Sequence, residues 1–144
     1  MESLSEYYKT NEKTDRIKFE VKTMLTKGKD ILVTDQNKLK EVMNSLISNA
    51  FKFTKDGKIE LGYFINPVDQ KMILYVKDTG IGIPDEHRDK IFNRFYQVNL
   101  NTEGTGLGLT ISQSLVKLLG GKIYFDSKEN EGSTFYVELP FKEY

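Results

Sequence analysis

The stretch from residue 36 to residue 53 constrains the fold most, because its apolar side chains recur at helical spacing along its length. This spacing predicts an amphipathic helix, whose apolar face must be covered by a second layer of structure. Asp35 stands just before the pattern and is predicted to cap the helix. The apolar face consists of Leu39, Val42, Met43, Leu46, Ile47, Ala50 and Phe51.

Strand patterns lie on both sides of this helix and of a second helix predicted over residues 107–119. The predicted strands cover residues 16–21, 30–34, 58–64, 71–78, 122–127 and 133–140. A short amphipathic helix also fits residues 85–92. The order is two strands, helix, two strands, irregular stretch, helix and two strands. It favours a two-layer α/β sandwich with a mixed sheet covered by helices on one face.

Composition excludes several kinds of site. The chain has 144 residues, which suits one domain, and no cysteine, which excludes disulfides and thiolate chemistry. His87 is the only histidine, so a metal site built from several histidines is impossible. The 21 basic and 21 acidic residues balance, so the chain lacks an overall basic field for nucleic acid. No apolar run approaches the roughly 18 residues of a membrane span.

Two glycine clusters are candidates for nucleotide contacts: DTGIGIP at residues 78–84 and GTGLGL at residues 104–109. Gly-x-Gly spacing allows close approach of the backbone to a ligand, and N–H groups at a helix start suit phosphate. Either cluster by itself is equally consistent with a structural turn or cap. The Walker phosphate-binding motif is absent, and Leu109 replaces the third glycine of the dinucleotide fingerprint.

Polar side chains at two positions add to this pattern. Ser45, Asn49 and Lys52 share one face of the first helix, where a neutral oxygen suits Mg²⁺ and a cation suits phosphate. A solvated polar face explains the same spacing. Asp78 ends an apolar strand, where its carboxylate is able to accept from a ligand amine or to begin the next turn. The aromatic run IFNRFYQ at residues 91–97 favours packing, and His87 lies in a charged, surface-like run.

Taken in order, these motifs resemble the histidine-kinase branch of the gyrase, heat-shock chaperone, histidine-kinase and mismatch-repair ATPase superfamily, over residues 16–141. SLISNAFKFT is similar to its N box, DTGIGIP to its G1 box, IFNRFYQ to its F box, and GTGLGL to its G2 box. EGSTFYVELP is similar to its closing strand. The resemblance implies binding of ATP with Mg²⁺ and transfer of the γ-phosphoryl group to a histidine.

The resemblance also implies residue roles. Asn49 holds Mg²⁺, Lys52 contacts phosphate, and Phe53 lies against adenine, whose amine donates to Asp78. Gly80 and Gly82 let the loop close over the base, and Ser133 assists through a water. The catalytic set is Asn49, Lys52 and Ser45. Phosphates lie against Gly104, Thr105, Gly106, Leu107 and Gly108, below an ATP lid at residues 97–103 between the F and G2 boxes, expected to be mobile without nucleotide.

Two departures from the family pattern are visible. Ser45 replaces the usual first Asn of the N box, with Asn44 beside it but about 100° away around the helix. The lid carries no Lys or Arg between Phe95 and Gly104. Two other functions stay open: a gyrase-like or chaperone-like ATPase, against which Ser45 argues because it is not a carboxylate, and a non-enzymatic nucleotide-binding module.

The resemblance places the phosphorylated histidine on an upstream dimeric helical hairpin. Residues 1–14 are expected to be the remnant of the linker from that hairpin, and residues 15–144 the ATP-binding catalytic domain. Expected partners are that hairpin and, through the full-length protein, a response regulator. The chain itself is expected to be monomeric and cytoplasmic, within a homodimeric parent whose membrane anchoring is left open.

Overall fold

Five strands and two α-helices form the part of the chain that the computed structural model describes, namely residues 17–23, 35–66, 68–93 and 108–140. In chain order they are β1 (Ile17–Thr23), α1 (Gln36–Lys52), β2 (Gly57–Asn66), β3 (Lys71–Asp78), α2 (Gly108–Leu118), β4 (Lys122–Lys128) and β5 (Gly132–Pro140). The strand predicted at residues 30–34 lies outside the described residues.

The strands form one mixed sheet in the order β1-β2-β3-β5-β4. β1 pairs with β2 in parallel, with Ile17 opposite Gly57. The pairs β2–β3, β3–β5 and β4–β5 are antiparallel. α1 connects the two parallel strands, as a parallel pair requires a long crossover. The predicted two-layer α/β sandwich with a mixed sheet covered by helices on one face is confirmed.

The core lies between this sheet and the two helices. Leu46 and Ile47 of α1 are 1% and 0% exposed, and they face inward-pointing residues such as Leu61 and Val76. The remaining predicted apolar positions of α1 are buried as well, except Leu39, which packs at the edge. The helical spacing in the sequence therefore identified the buried face of α1 correctly.

Local chemistry sets where α1 begins and ends. The Asp35 carboxylate accepts from the backbone N–H groups of Asn37 and Lys38 at 3.1 and 3.2 Å, which satisfies two donors that the helix leaves unpaired. Phe53 caps the other end, where its N–H donates to the Asn49 carbonyl at 3.2 Å. The predicted N-cap is confirmed.

The helix predicted over residues 85–92 was wrong. The structure has a 3₁₀ turn at Asp85–His87, followed by turns in which Lys90 N donates to the His87 carbonyl and Asn93 N to the Lys90 carbonyl. Ile91 is the only buried residue of the segment, so there is no apolar face to stabilise an isolated short helix. The Arg88 guanidinium also reaches back to the Ser127 carbonyl at 2.8 Å, which fixes the segment against β4.

Within the described residues, neither helix is both long enough and apolar enough to cross a membrane.

The buried face of α1 predicts a large effect for truncation at Leu46. Leu46→Ala should lower the free energy of unfolding by about 2–5 kcal/mol, because it removes buried methyl groups and leaves a cavity. Leu118→Ala is the matched control, since Leu118 ends α2 with 72% of its surface exposed; its effect should stay within about 0.5 kcal/mol. Urea denaturation measures both, and equal losses would contradict this packing.

Candidate functional site

The Asp78 carboxylate lies at the end of β3 and is 7% exposed. Its Oδ1 atom accepts from Gly80 N at 2.9 Å and from Ser133 N at 3.2 Å. Its Oδ2 atom has no hydrogen-bond partner among the described residues. Burial raises the pKa of Asp78 above its ordinary value of 3.8, and the two backbone donors oppose this rise. One oxygen of this buried carboxylate is therefore held by backbone donors, and the other is available to accept a further hydrogen bond.

The loop after Asp78 requires glycine for close approach. A side chain at Gly80 would meet the Phe53 carbonyl and the Thr54 Oγ1 atom, the latter at 2.7 Å. Gly82 has φ +71°, and a Cβ there would collide with the Lys128 carbonyl. Glycines in DTGIGIP thus allow this loop to fit between the end of α1 and the β4–β5 hairpin.

Backbone bonds hold the loop from two sides. Ile81 N donates to the Phe53 carbonyl at 3.2 Å, and the Ile81 carbonyl accepts from Asn130 N at 2.6 Å. Ile83 N donates to Ser127 Oγ at 2.8 Å. The loop is therefore anchored to α1 and to the β4–β5 hairpin, with Asp78 at its base.

The Thr54 hydroxyl is fully buried next to this loop, with 1% of the residue exposed, and has no hydrogen-bond partner within the described residues. A buried hydroxyl without a partner is costly unless a water or ligand supplies one. Phe53, immediately before it, is half-buried at the end of α1. Thr54 therefore marks a place beside the loop where a bound water or a ligand group would supply the missing hydrogen bond.

The predicted polar face of α1 lies next to the start of α2. Ser45 and Asn49 are half-buried and Lys52 is exposed in the last turn. A Cβ built on Gly108 would lie 2.9 Å from Ser45 Oγ, so the N box and the end of the G2 box meet at this point. The other G2 positions, residues 104–107, and the lid at residues 97–103 lie outside the described residues.

The described part of the F box packs beneath this region. Ile91 is buried, and the Phe92 ring lies 6.0 Å from the Phe125 ring, so these residues pack as predicted. The Phe92 carbonyl accepts from Thr110 Oγ1 at 2.8 Å, which joins the F box directly to α2. His87 is half-buried, and its Nε2 atom lies 3.4 Å from Glu86 Oε1.

The donor set is compatible with Mg²⁺ that is held mainly through phosphate. Among the described residues no group of three or more His, Cys, Asp or Glu side chains is arranged to hold a metal ion. Mg²⁺ usually keeps several waters and takes one or two protein oxygens together with substrate phosphates. The Asn49 amide, on the side of α1 near Gly108, fits such a role.

Sequence reasoning missed Ser127, Thr54 and Thr110. Ser127 was detectable in part, because it ends one predicted strand and Ser133 begins the next, and the structure sets the two residues opposite one another. Thr54 and Thr110 gave no such signal, since their positions depend on how α1, α2 and the loops approach one another. Ser133 was predicted to assist through a water; its backbone N–H contacts Asp78 and its hydroxyl lies 2.7 Å from that of Ser127.

The raised pKa of Asp78 predicts a pH-dependent effect of Asp78→Asn. The folded chain keeps its proton to higher pH than the unfolded chain, so wild-type stability falls as pH rises from 3.8 through the raised pKa. The variant does not titrate at this position. The variant's free energy of unfolding, minus that of the wild type, should therefore increase with pH across this window and stay constant above it.

Urea denaturation measures this difference when both proteins are unfolded at the same series of pH values, from pH 3.5 to pH 7. Asp126→Asn makes the same chemical change at an exposed position of β4 and should remain within about 0.5 kcal/mol of the wild type. A free energy of unfolding of Asp78→Asn that falls relative to that of the wild type as pH rises would contradict the burial argument.

Comparisons with known proteins agree with this geometry. Residues 34–143 match the family model of histidine kinase-, DNA gyrase B- and HSP90-like ATPases. Sensor histidine kinase WalK of Bacillus subtilis is 40% identical over 114 residues, which are 76% of this chain and 19% of WalK. The chain thus spans about a fifth of the length of this relative.

Solved structures give the same result. The catalytic domain of histidine kinase ThkA has a TM-score of 0.75 and 32% identity, over 96% of this chain and 87% of that one. Full-length ShkA in complex with AMPPNP shares the fold, with a TM-score of 0.83 over 99% of this chain and 29% of ShkA, at 24% identity. The chain therefore belongs to the family of histidine kinase-, DNA gyrase B- and HSP90-like ATPases and has the catalytic-domain fold of its sensor histidine kinase members.

Proposed function

We propose that the chain binds ATP with Mg²⁺ and transfers the γ-phosphoryl group to a histidine on a separate domain of a two-component sensor kinase. The observation that carries this proposal is the buried Asp78 carboxylate, which has one oxygen held by backbone donors and one without a partner among the described residues. A buried acceptor of this kind gains a charge-assisted hydrogen bond from the adenine amine.

The adenine end of the nucleotide contacts the residues around Asp78. Phe53 lies against the base and the loop carrying Gly80 and Gly82 closes over it; the two glycines let that loop pack against the end of α1 and the β4–β5 hairpin. The Thr54 hydroxyl, which has no partner within the described residues, and the Ser133 hydroxyl are polar groups beside the same loop that a water is able to bridge to the base.

The phosphate end contacts the first turn of α2 and the facing side of α1. Asn49 contributes an oxygen to Mg²⁺, which when bound neutralises charge on the phosphate oxygens. Lys52 contacts phosphate, and Ser45 holds a water or phosphate oxygen near Gly108. Gly104, Thr105, Gly106 and Leu107 complete the phosphate contacts of the family motif and lie outside the described residues.

The transfer step needs little covalent chemistry from the protein. The bond between the γ-phosphorus and its bridging oxygen breaks, a bond to the histidine nitrogen forms, ADP leaves with the electron pair, and the imidazole releases its proton to solvent. Catalysis then consists of positioning and charge stabilisation. The acceptor is not His87, which lies in the 3₁₀ turn directly after the loop that carries Gly80 and Gly82, beside the Glu86 carboxylate.

ATP hydrolysis is the second candidate activity, because the family includes ATPases. Activation of water in such enzymes needs a carboxylate one turn before the metal ligand. That position is Ser45, whose hydroxyl lies against Gly108 and is a poor general base near neutral pH. Transfer to a supplied acceptor is therefore favoured over hydrolysis.

The proposed partners follow from the transfer. They are a dimeric hairpin that carries the acceptor histidine and a response regulator that takes the phosphoryl group from it. ATP is the donor, so the reaction belongs in the cytoplasm.

Metal coordination by Asn49 predicts a Mg²⁺-dependent defect. Asn49→Ala should weaken ATP binding in the presence of Mg²⁺ by about tenfold and change it little in chelator, because only the metal-dependent part is removed. Asn37→Ala is the matched control, about 18 Å away along the same helix and exposed. Calorimetry in both buffers measures the difference. An equal loss with and without Mg²⁺ would assign Asn49 a structural role.

Transfer to a separate histidine predicts where label from ATP appears. Incubation with γ-labelled ATP should leave this chain unlabelled and should label a purified phosphoacceptor hairpin of a sensor histidine kinase, with acid-labile and base-stable label. A hairpin whose acceptor histidine is replaced by glutamine should stay unlabelled. Phosphate release at the same rate with and without the hairpin would instead support the ATPase, and label lost in His87→Gln would identify this chain as its own acceptor.

A further inference from the structure

We propose that Ser127 is a positioning residue that turns the Ser133 hydroxyl so that Asp78 and Ser133 together present only acceptors to the base, and thereby sets selectivity for a 6-amino over a 6-oxo purine. This inference rests on the proposed binding of ATP at Asp78. Ser127 itself need not touch the nucleotide; it acts through Ser133 and through the G1 loop.

Three polar residues lie side by side across three neighbouring strands. Asp78 of β3 is opposite Ser133 of β5, and Ser133 is opposite Ser127 of β4. Residues directly opposite one another in a sheet point to the same face. That face carries Val76 and Phe135, so it is the side covered by the helices. Asp78, Ser133 and Ser127 therefore form a continuous row of polar side chains on the side of the sheet that the helices cover.

The hydrogen bonds of Ser127 use its hydroxyl completely. Ile83 N lies 2.8 Å from Ser127 Oγ and is only able to donate, and the Gly132 carbonyl lies 3.1 Å away and is only able to accept. The Ser133 hydroxyl lies 2.7 Å from the same oxygen. A hydroxyl has one proton and two acceptor sites. All three contacts are satisfied when Ser127 donates to Gly132 and accepts from both Ile83 and Ser133.

In this arrangement the Ser133 proton points away from Asp78, toward β4. The lone pairs of Ser133 Oγ are then left for the pocket, where the second oxygen of Asp78 is also an acceptor. A base edge or bridging water must donate to both groups. The amine of adenine supplies such donors, whereas the 6-oxo group of inosine would set an acceptor against acceptors, which is unfavourable in a buried site.

Ser127 is itself held rigidly. Its carbonyl accepts from Arg88 Nη1 at 2.8 Å, and the Arg88 guanidinium lies 4.9 Å from the centre of the Phe125 ring. Ile83 N in turn fixes the loop that returns to Gly80, whose N–H holds Asp78 Oδ1. The hydrogen bonds therefore close a ring around the G1 loop, and Ser127 is the member that touches both the loop and Ser133.

The test compares ATP with inosine triphosphate, which has a 6-oxo group in place of the amine and carries the same triphosphate. Calorimetry with Mg²⁺ gives the ratio of their affinities. Ser127→Ala frees the Ser133 proton to turn toward the base, so this ratio should fall by about tenfold. Ser127→Thr keeps the hydroxyl and should restore the wild-type ratio. Ser114→Ala, on an exposed position of α2, should not change it.

A cycle with Ser133→Ala separates positioning from general support. Without the Ser133 hydroxyl there is nothing for Ser127 to orient, so Ser127→Ala in that background should change the ratio by less than about threefold. Ser133→Ala alone should lower the ratio, and it serves as the second variant if Ser127→Ala does not fold.

An equal loss of both nucleotides in Ser127→Ala, or an unchanged ratio, would overturn the inference. Failure of wild-type chain to bind either nucleotide would instead refute the proposed function. Binding of ATP that is lost in Asp78→Asn but keeps its selectivity in Ser127→Ala would refute only the role of Ser127.

Discussion

The buried carboxylate of Asp78 is the constraint on which the rest of the site depends. A charged group at 7% exposure is unfavourable unless donors compensate for lost water. Two backbone N–H groups, from Gly80 and Ser133, supply part of that compensation at one oxygen. To provide them, the chain must turn sharply after β3 and must start β5 directly beside it. The other oxygen has no hydrogen-bond partner among the described residues. It is therefore available to a donor on a ligand, at some cost in stability.

Glycine and the two-layer architecture make this arrangement possible. Gly80 and Gly82 pass between the end of α1 and the β4–β5 hairpin, where any Cβ would collide with a carbonyl. The same helix brings Ser45 against Gly108 at the start of α2, and Thr110 of α2 holds the Phe92 carbonyl. Motifs far apart in the sequence thus meet at one end of the sheet. In the proposed complex, the sheet would supply the base-binding end of the site and the two helices its phosphate end.

The sequence predicted most of the fold because the apolar patterns were long and periodic. α1 and β3 lie within a residue of their predicted limits, and the buried residues of α1 follow the helical spacing. The helix predicted over residues 85–92 was wrong because a charged run with one buried side chain does not specify a helix. At the site, Asp78 and the glycines were visible as motifs. Thr54 and Thr110 were not, since their contacts arise only when helices and loops pack, and Ser127 was visible only through the pairing of the last two strands. All ligand contacts assigned by resemblance remain predictions, and those of Gly104, Thr105, Gly106 and Leu107 also lie outside the described residues.

The central claim is that Asp78 recognises the adenine amine, and ATP affinity of Asp78→Asn tests it most directly. An asparagine is able to keep the bonds from Gly80 and Ser133 through its carbonyl oxygen, but its amide then turns two donors toward the ligand amine. Calorimetry at pH 7 with Mg²⁺ should find a loss of about 2 kcal/mol or more, roughly thirtyfold, while Asp126→Asn binds as the wild type does. Equal affinity of Asp78→Asn and wild type for ATP would contradict the account.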